Sequence, residues 1–225
     1  LAALRQAGCQ RLLCAGDVVG YGPEPSACIA RVRETKARVV KGNHDDWSSN
    51  SMMIPGAASA AAWSLYWTRS RITPEEREWL SKLPLVDHYG PVDITHASCD
   101  AIYPAWPYVR DLVQLERHFA KQTQPMALAG HTHRPYLGLR LPTGELSLTP
   151  GEGTMTWPAG SRVYLNPGAV GQPRDGNPLA AYAILEMNLR QIHFARVPYE
   201  IERTIAGMRA ENFPASLSER LLKGE

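Results

Sequence analysis

A chain of 225 residues, 44% hydrophobic and 20% charged, can bury one large core, and it carries no apolar run long enough to cross a membrane. Its 24 basic and 22 acidic side chains are intermixed to a net charge of +2, with no Lys/Arg cluster to track a phosphate backbone, which argues against sequence-specific nucleic-acid binding. The cysteines Cys9, Cys14, Cys28 and Cys99 form no C-x-x-C pair and no secreted-type framework, so reduced thiols in a cytoplasm are expected.

In chain order, the sequence opens at Leu1 partway through what reads as a helix, and a preceding segment is expected. RLLCAG (11–16) reads as a buried strand, EPSACIARVRE (24–34) as a helix with Pro25 in its first turn, and ARVV (37–40) as the next strand. Residues 56–70 and 73–83 read as helices, the second opened by Thr73 as N-cap with Pro74 after it. VDITH (92–96) is a strand, residues 109–120 a helix and MALAG (126–130) a strand. From Arg134 on, strand-sized pieces separated by Pro/Gly turns, with LAAYAILEM and QIHFARV after them, predict antiparallel hairpins. With no linker or repeat in view, a single α/β domain over 1–225 is expected, with two sheets face to face and helices outside.

Chemistry gathers where the strands stop. CAGD ends at Asp17, VVKGNHD at Asn43, His44 and Asp45, DITH at His96, and ALAGHTH at His131 and His133. In open α/β sheets, ligands bind at the carboxyl ends of the strands. A carboxylate, an amide oxygen and three imidazoles without thiolate suit Zn, Mn, Fe or Ni better than Ca or Mg. His88, His118 and His193 stand apart and read as surface or hydrogen-bonded histidines, and Cys99 as a small buried residue. Trp63, Trp67 and Trp79 interleave with arginines but read as helical core rather than a base-stacking surface.

The blocks GDVVGYGPEP, VVKGNHDD, ITHAS, LAGHTHRP and LNPGAVGQPRDGNPLAAYAIL resemble the successive motifs of the calcineurin-like metallophosphoesterases, in particular the small bacterial and archaeal phosphodiesterase branch. That resemblance spans nearly the whole chain. It implies a four-layer αββα sandwich of two mixed sheets flanked by helices, and two divalent metal ions at the strand ends, manganese foremost, with iron, zinc or nickel as alternatives. By the same likeness Asp17 bridges both metals, Asn43, His96 and His131 complete one site, His133 belongs to the other, and His44 contacts the substrate phosphate and protonates the leaving group. Arg174 in GQPRDG and Tyr21 after Gly20 are candidate substrate contacts, with a solvated turn and simple packing as the alternatives.

Two departures bear on these roles. No Asp-x-His occurs in the 225 residues, although the family's first strand ends in one, and that strand is expected to precede Leu1. The protein Ser/Thr phosphatases place an Asp and an Arg soon after their Gly-Asp, where this chain has VVGYG, so the carboxylate partner of His44 is open, with Asp45 or Asp46 as candidates. The expected activity is hydrolysis of a small or nucleotide-like phosphodiester by metal-activated water. The alternatives are a non-catalytic scaffold of the same fold binding partner proteins, or a Ser/Thr-phosphatase-like monoesterase. A homo-oligomer is compatible with either.

Overall fold

The protein is described by a computed structural model covering residues 1–51, 53–54 and 59–225. In chain order it forms α1 (Ala2–Gln6), β1 (Leu13–Cys14), α2 (Pro25–Glu34), β2 (Arg38–Val39), α3 (Asn43–Ser49), α4 (Ala60–Arg71), α5 (Pro74–Ser81), β3 (Val86–Tyr89) and β4 (Val92–Thr95). Then come α6 (Leu112–Lys121), β5 (Met126–Leu128), β6 (Pro135–Arg140), β7 (Leu146–Pro150), β8 (Thr154–Thr156), β9 (Arg162–Pro167), β10 (Ala180–Glu186), β11 (Gln191–Val197), α7 (Ile201–Ala210) and α8 (Ala215–Lys223).

Side chains start the helices where the sequence expects them. Thr73 Oγ1 accepts from Glu76 N at 3.2 Å while Glu76 Oε2 accepts from Thr73 N at 2.8 Å, a reciprocal cap that satisfies two otherwise orphaned donors of α5. Asp111 caps α6 through Gln114 N at 2.8 Å, and Ser59 caps α4 through Ala62 N at 3.1 Å. The expected helix over 56–70 is therefore α4 from Ala60 onward, and its first three positions, 56–58, lie outside the described residues. Helices α3, α7 and α8 are additions to the expected elements, although Ile201, Ile205 and Met208 carry helical spacing.

The larger sheet runs β3-β4-β5-β9-β6-β7, with β4, β5 and β9 parallel and β3, β6 and β7 antiparallel to their neighbours. Alternation along β9 shows how it is covered. Val163 and Leu165 face one core while Tyr164 between them faces the other, beneath Leu115 and Phe119 of α6. On the first face lie the parallel pair β1-β2 and the antiparallel set β10-β11-β8, whose Leu13, Ala183, Phe194 and Met155 all pack on the same apolar cluster. These two pieces of the second layer are not hydrogen-bonded to each other among the described residues. The result is an α/β fold of mixed sheets flanked by helices.

Trp63 and Trp67 meet the Phe213 ring edge-on at 4.9 and 4.7 Å, in the core shared by α4, α7 and α8, so the tryptophans are used in packing as expected. Among the described residues no helix is long and apolar enough to cross a membrane. The parallel arrangement has one consequence for chemistry. β1 and β2 end together, and the turns after them carry Asp17 and Asn43, while the turns after β4 and β5 carry His96 and His131.

Candidate metal centre

The turns that follow these strands are unusually tight. Asp17, Tyr21, His131 and His133 all adopt positive φ, at 54°, 57°, 63° and 58°, a region costly for residues with a Cβ. Such strain, of order 1–3 kcal/mol each, persists only where surrounding structure holds it, and it clusters at functional sites. Gly42 allows the closest approach, since a Cβ there would lie 2.1 Å from Asp17 Oδ1. Asn166, fully buried at the end of β9, holds the next turn by donating to Gly130 O at 2.6 Å and Thr132 Oγ1 at 2.9 Å.

Asp17, His96 and His131 bring one ligand atom each to within 4.8 Å of one another. His96 Nε2 lies 3.0 Å from Asn43 Oδ1, 3.1 Å from His131 Nδ1 and 3.3 Å from Asp17 Oδ2. His96 Nδ1 donates to Ala15 O at 2.6 Å, which orients the ring and leaves Nε2 facing the cluster. His133 is oriented in the same way, Nδ1 donating to Gln172 O at 2.7 Å. Tyr108 stacks on His131 with ring centroids 4.1 Å apart and 14° between planes. His133 lies outside the tight cluster and lines the same cavity with Asp17, His131 and Arg174.

Asp45 ties the two ligand-bearing loops together. Its carboxylate is fully buried and accepts from Gly42 N at 2.9 Å, Asp17 N at 2.8 Å, Val18 N at 2.8 Å and Val19 N at 3.3 Å. Hydrogen bonds contribute about 0.5–1.5 kcal/mol each, and removing the acceptor orphans every donor at once. Asp45→Ala is expected to destabilise the protein by about 3 kcal/mol, read as a lower midpoint in urea at unchanged slope. An unchanged midpoint would mean the loops hold themselves.

Neither Asp45 nor Asp46 is the partner of His44. Asp45 is occupied by backbone donors, and Asp46 accepts from Tyr103 Oη at 3.1 Å and lies 3.9 Å from Lys41 Nζ. Among the described residues His44 Nδ1 is buried without a partner, and it faces Gly20, where a Cβ would sit 2.2 Å away. The ring is instead held by Tyr21, 4.5 Å between centroids, and Trp47, 6.1 Å. Consecutive helical positions point some 100° apart, so the residue after His44 on α3 cannot share its direction. Gly20→Ala should therefore displace the imidazole and lower turnover roughly 10²-fold while bound metal is unchanged. Metal analysis beside a rate measurement checks this.

Residues 1–190 match the calcineurin-like phosphoesterase superfamily domain. The chain belongs to this family. It is similar to a metallophosphoesterase of Sphaerobacter thermophilus, with 33% identity and a TM-score of 0.85 over 100% of this chain and 93% of that one. An uncharacterized protein of Methanocaldococcus jannaschii is 28% identical over 98% of this chain and 89% of its own length. A hypothetical protein of Pyrococcus horikoshii OT3 shares the fold at 19% identity, TM-score 0.73, over 100% of this chain and 90% of that one.

For a metallophosphoesterase-family chain the donor set is chemically apt. A carboxylate, an amide oxygen and two imidazole nitrogens converge with no N–H or O–H group of the cluster opposing them except a proton on His96. A cation satisfies such a set of acceptors. Burial alone would lower His96, but Asp17 outweighs it and holds the imidazole above its ordinary value, while His96 and His44 hold Asp17 well below the usual carboxylate range against burial. Proton and cation thus compete for one position, and metal uptake should release a proton. His131 and His133 are each pushed down to about 3, by burial first and then by His96 and Arg174 respectively, so both imidazoles are neutral at pH 7.

The substrate candidates Arg174 and Tyr21 come together at the cavity wall, Arg174 Nη2 donating to Tyr21 Oη at 2.9 Å. Trp106 and Tyr108 line the cavity too and were not among the expected contacts, because the loop between β4 and α6 has no periodicity to mark them. The histidines set aside lie elsewhere: His88 pairs with Asp93 at 2.8 Å, His118 Nδ1 accepts from Cys99 N at 3.1 Å, and His193 bonds Thr154 at 2.8 Å.

Proposed function

We propose that this protein is a metal-dependent phosphodiesterase acting on a small phosphodiester, with a two-metal centre in which manganese is the first choice. The observation that carries this reading is the convergence of ligand atoms from Asp17, Asn43, His96 and His131 just past the carboxyl ends of four strands. These four would hold one cation, and Asp17 with His133 would begin the second site. When bound, the cations supply Lewis-acid polarisation of the phosphoryl oxygen and a nucleophilic water at neutral pH.

The remaining steps belong to the chain. Arg174, steadied by Tyr21 and Gln172, receives a non-bridging phosphate oxygen, the recognition for which a guanidinium is suited. His44 stands at the cavity and gives its proton to the departing alkoxide. Burial lowers this imidazole in the free protein against the pull of Asp17, and an anionic phosphoryl group beside it favours the protonated form. The guanidinium supply is thin for a dianionic monoester, since Arg174 is the only Arg or Lys among the described residues lining the cavity.

The test is metal analysis of the purified full-length protein, with hydrolysis of an aryl diester and its matched monoester before and after chelation. Diester hydrolysis lost on chelation and restored by Mn²⁺ is expected. Absence of metal uptake would favour the partner-binding scaffold, and a clear monoester preference the Ser/Thr-phosphatase-like reading.

A further inference from the structure

The cavity over the cluster measures about 370 Å³, near the small end of the roughly 300–1,000 Å³ typical of small-ligand sites, and its lining changes character from one part to another. Around the proposed metals it is polar, with Asp17, Asn43, His131, His133 and Arg174. Beside His44 it is not. Trp47, Ile54, Ala62 and Leu65 form one contiguous apolar cluster, Ala61 on the same helix joins the lining, and His44 adjoins this wall through its ring contact with Trp47. Among the described lining residues the only formal charges are Asp17 and Arg174, both at the polar part.

Resting on the phosphodiesterase reading, in which His44 protonates the leaving oxygen, we infer that the leaving group is an uncharged, flat aromatic alcohol seated against the Trp47–Ile54–Leu65 wall. Water loses one proton to solvent and adds its oxygen to phosphorus, the bond from phosphorus to the aromatic alcohol's oxygen breaks, the proton from His44 leaves with that alcohol, and a solvent proton restores His44. A leaving group that is itself a phosphate or polyphosphate would bring negative charge onto a wall whose described residues carry no cation to receive it, which costs several kcal/mol per unpaired charge. An aromatic ring gains there, because burying apolar area is favourable by about 25 cal/mol per Å². Rings also stack on indole, which Trp47 offers.

The test reads binding, so it does not depend on turnover. Benzylphosphonate and methylphosphonate present the same anionic head, with and without the ring, and their affinities for the Mn²⁺-loaded protein are compared by titration calorimetry. Benzylphosphonate is expected to bind at least ten-fold more tightly. Ala61→Asp, which puts a carboxylate on the wall, should bring that ratio close to one, whereas Ala61→Leu should keep it. Equal affinities in the wild type, or a ratio surviving in Ala61→Asp, would overturn the inference. Failure to cleave any diester would instead defeat the phosphodiesterase reading, leaving the ratio to stand or fall by itself.

Discussion

His131→Ala is expected to remove bound metal and activity together, with kcat/KM falling on the order of 10³-fold, about 4 kcal/mol of transition-state stabilisation. The imidazole supplies one of the three atoms that meet His96 Nε2, only 3.1 Å from it, and Tyr108 stacks on its face and holds the ring in that position. Truncation also leaves Asp17 and His96 facing each other at 3.3 Å, a pair that a proton satisfies as well as a cation does. The variant should therefore titrate like a metal-free protein while keeping its fold, since His131 caps a turn pinned independently by Asn166. Elemental analysis, a melting curve and the rate on an aryl diester are measured on the same preparation. Full metal content with lost activity would move His131 from ligand to substrate contact, and full activity would remove it from the site.

His44→Ala should separate protonation from metal binding. Metal content is expected to be unchanged, because Asn43 rather than His44 faces the cluster, while the rate on diesters with poor leaving groups falls roughly 10²- to 10⁴-fold. A good leaving group departs without a proton, so for an activated aryl ester the loss should be far smaller. The slope of log kcat/KM against leaving-group pKa therefore steepens in the variant. An equal loss across the series would mean that His44 positions the phosphate and does not protonate the alcohol. His44 N donates to Asp17 Oδ1 at 2.9 Å from the backbone, and this contact survives the substitution, so a collapse of the metal centre is not the expected route to a loss.

How much of this was legible in the sequence depended on the range of the interaction. Helix starts at Thr73 and Asp111 depend on groups three residues apart, and the strand expected over 126–130, found as Met126–Leu128, on an apolar run meeting a polar stop, so neighbouring letters suffice. The same holds for Asp17, Asn43, His96 and His131: each ends an apolar strand, and parallel strands ending together must place such residues at one edge. The partner of His44 was open between Asp45 and Asp46, and it is neither. Asp45 is drawn to backbone N–H groups 26 to 28 residues earlier in the chain, an attraction that exists only once β1 and β2 lie side by side.

Identity and order of the residues by themselves determined which groups can bind a cation, which strand ends carry them, and that an α/β fold of this family would present them together. Tertiary structure alone decided which atoms meet. It set Nε2 of His96 against the cluster by giving Nδ1 to Ala15, left His133 outside the tight group, and folded the unpatterned loop carrying Trp106 and Tyr108 over the site. It also placed an apolar wall beside His44, from residues whose local sequence reads only as helix and turn. The physical reason is the same throughout: hydrogen-bonding capacity and hydrophobic period are local properties of the chain, whereas which donor meets which acceptor is a property of the packing that brings distant segments within 3 Å.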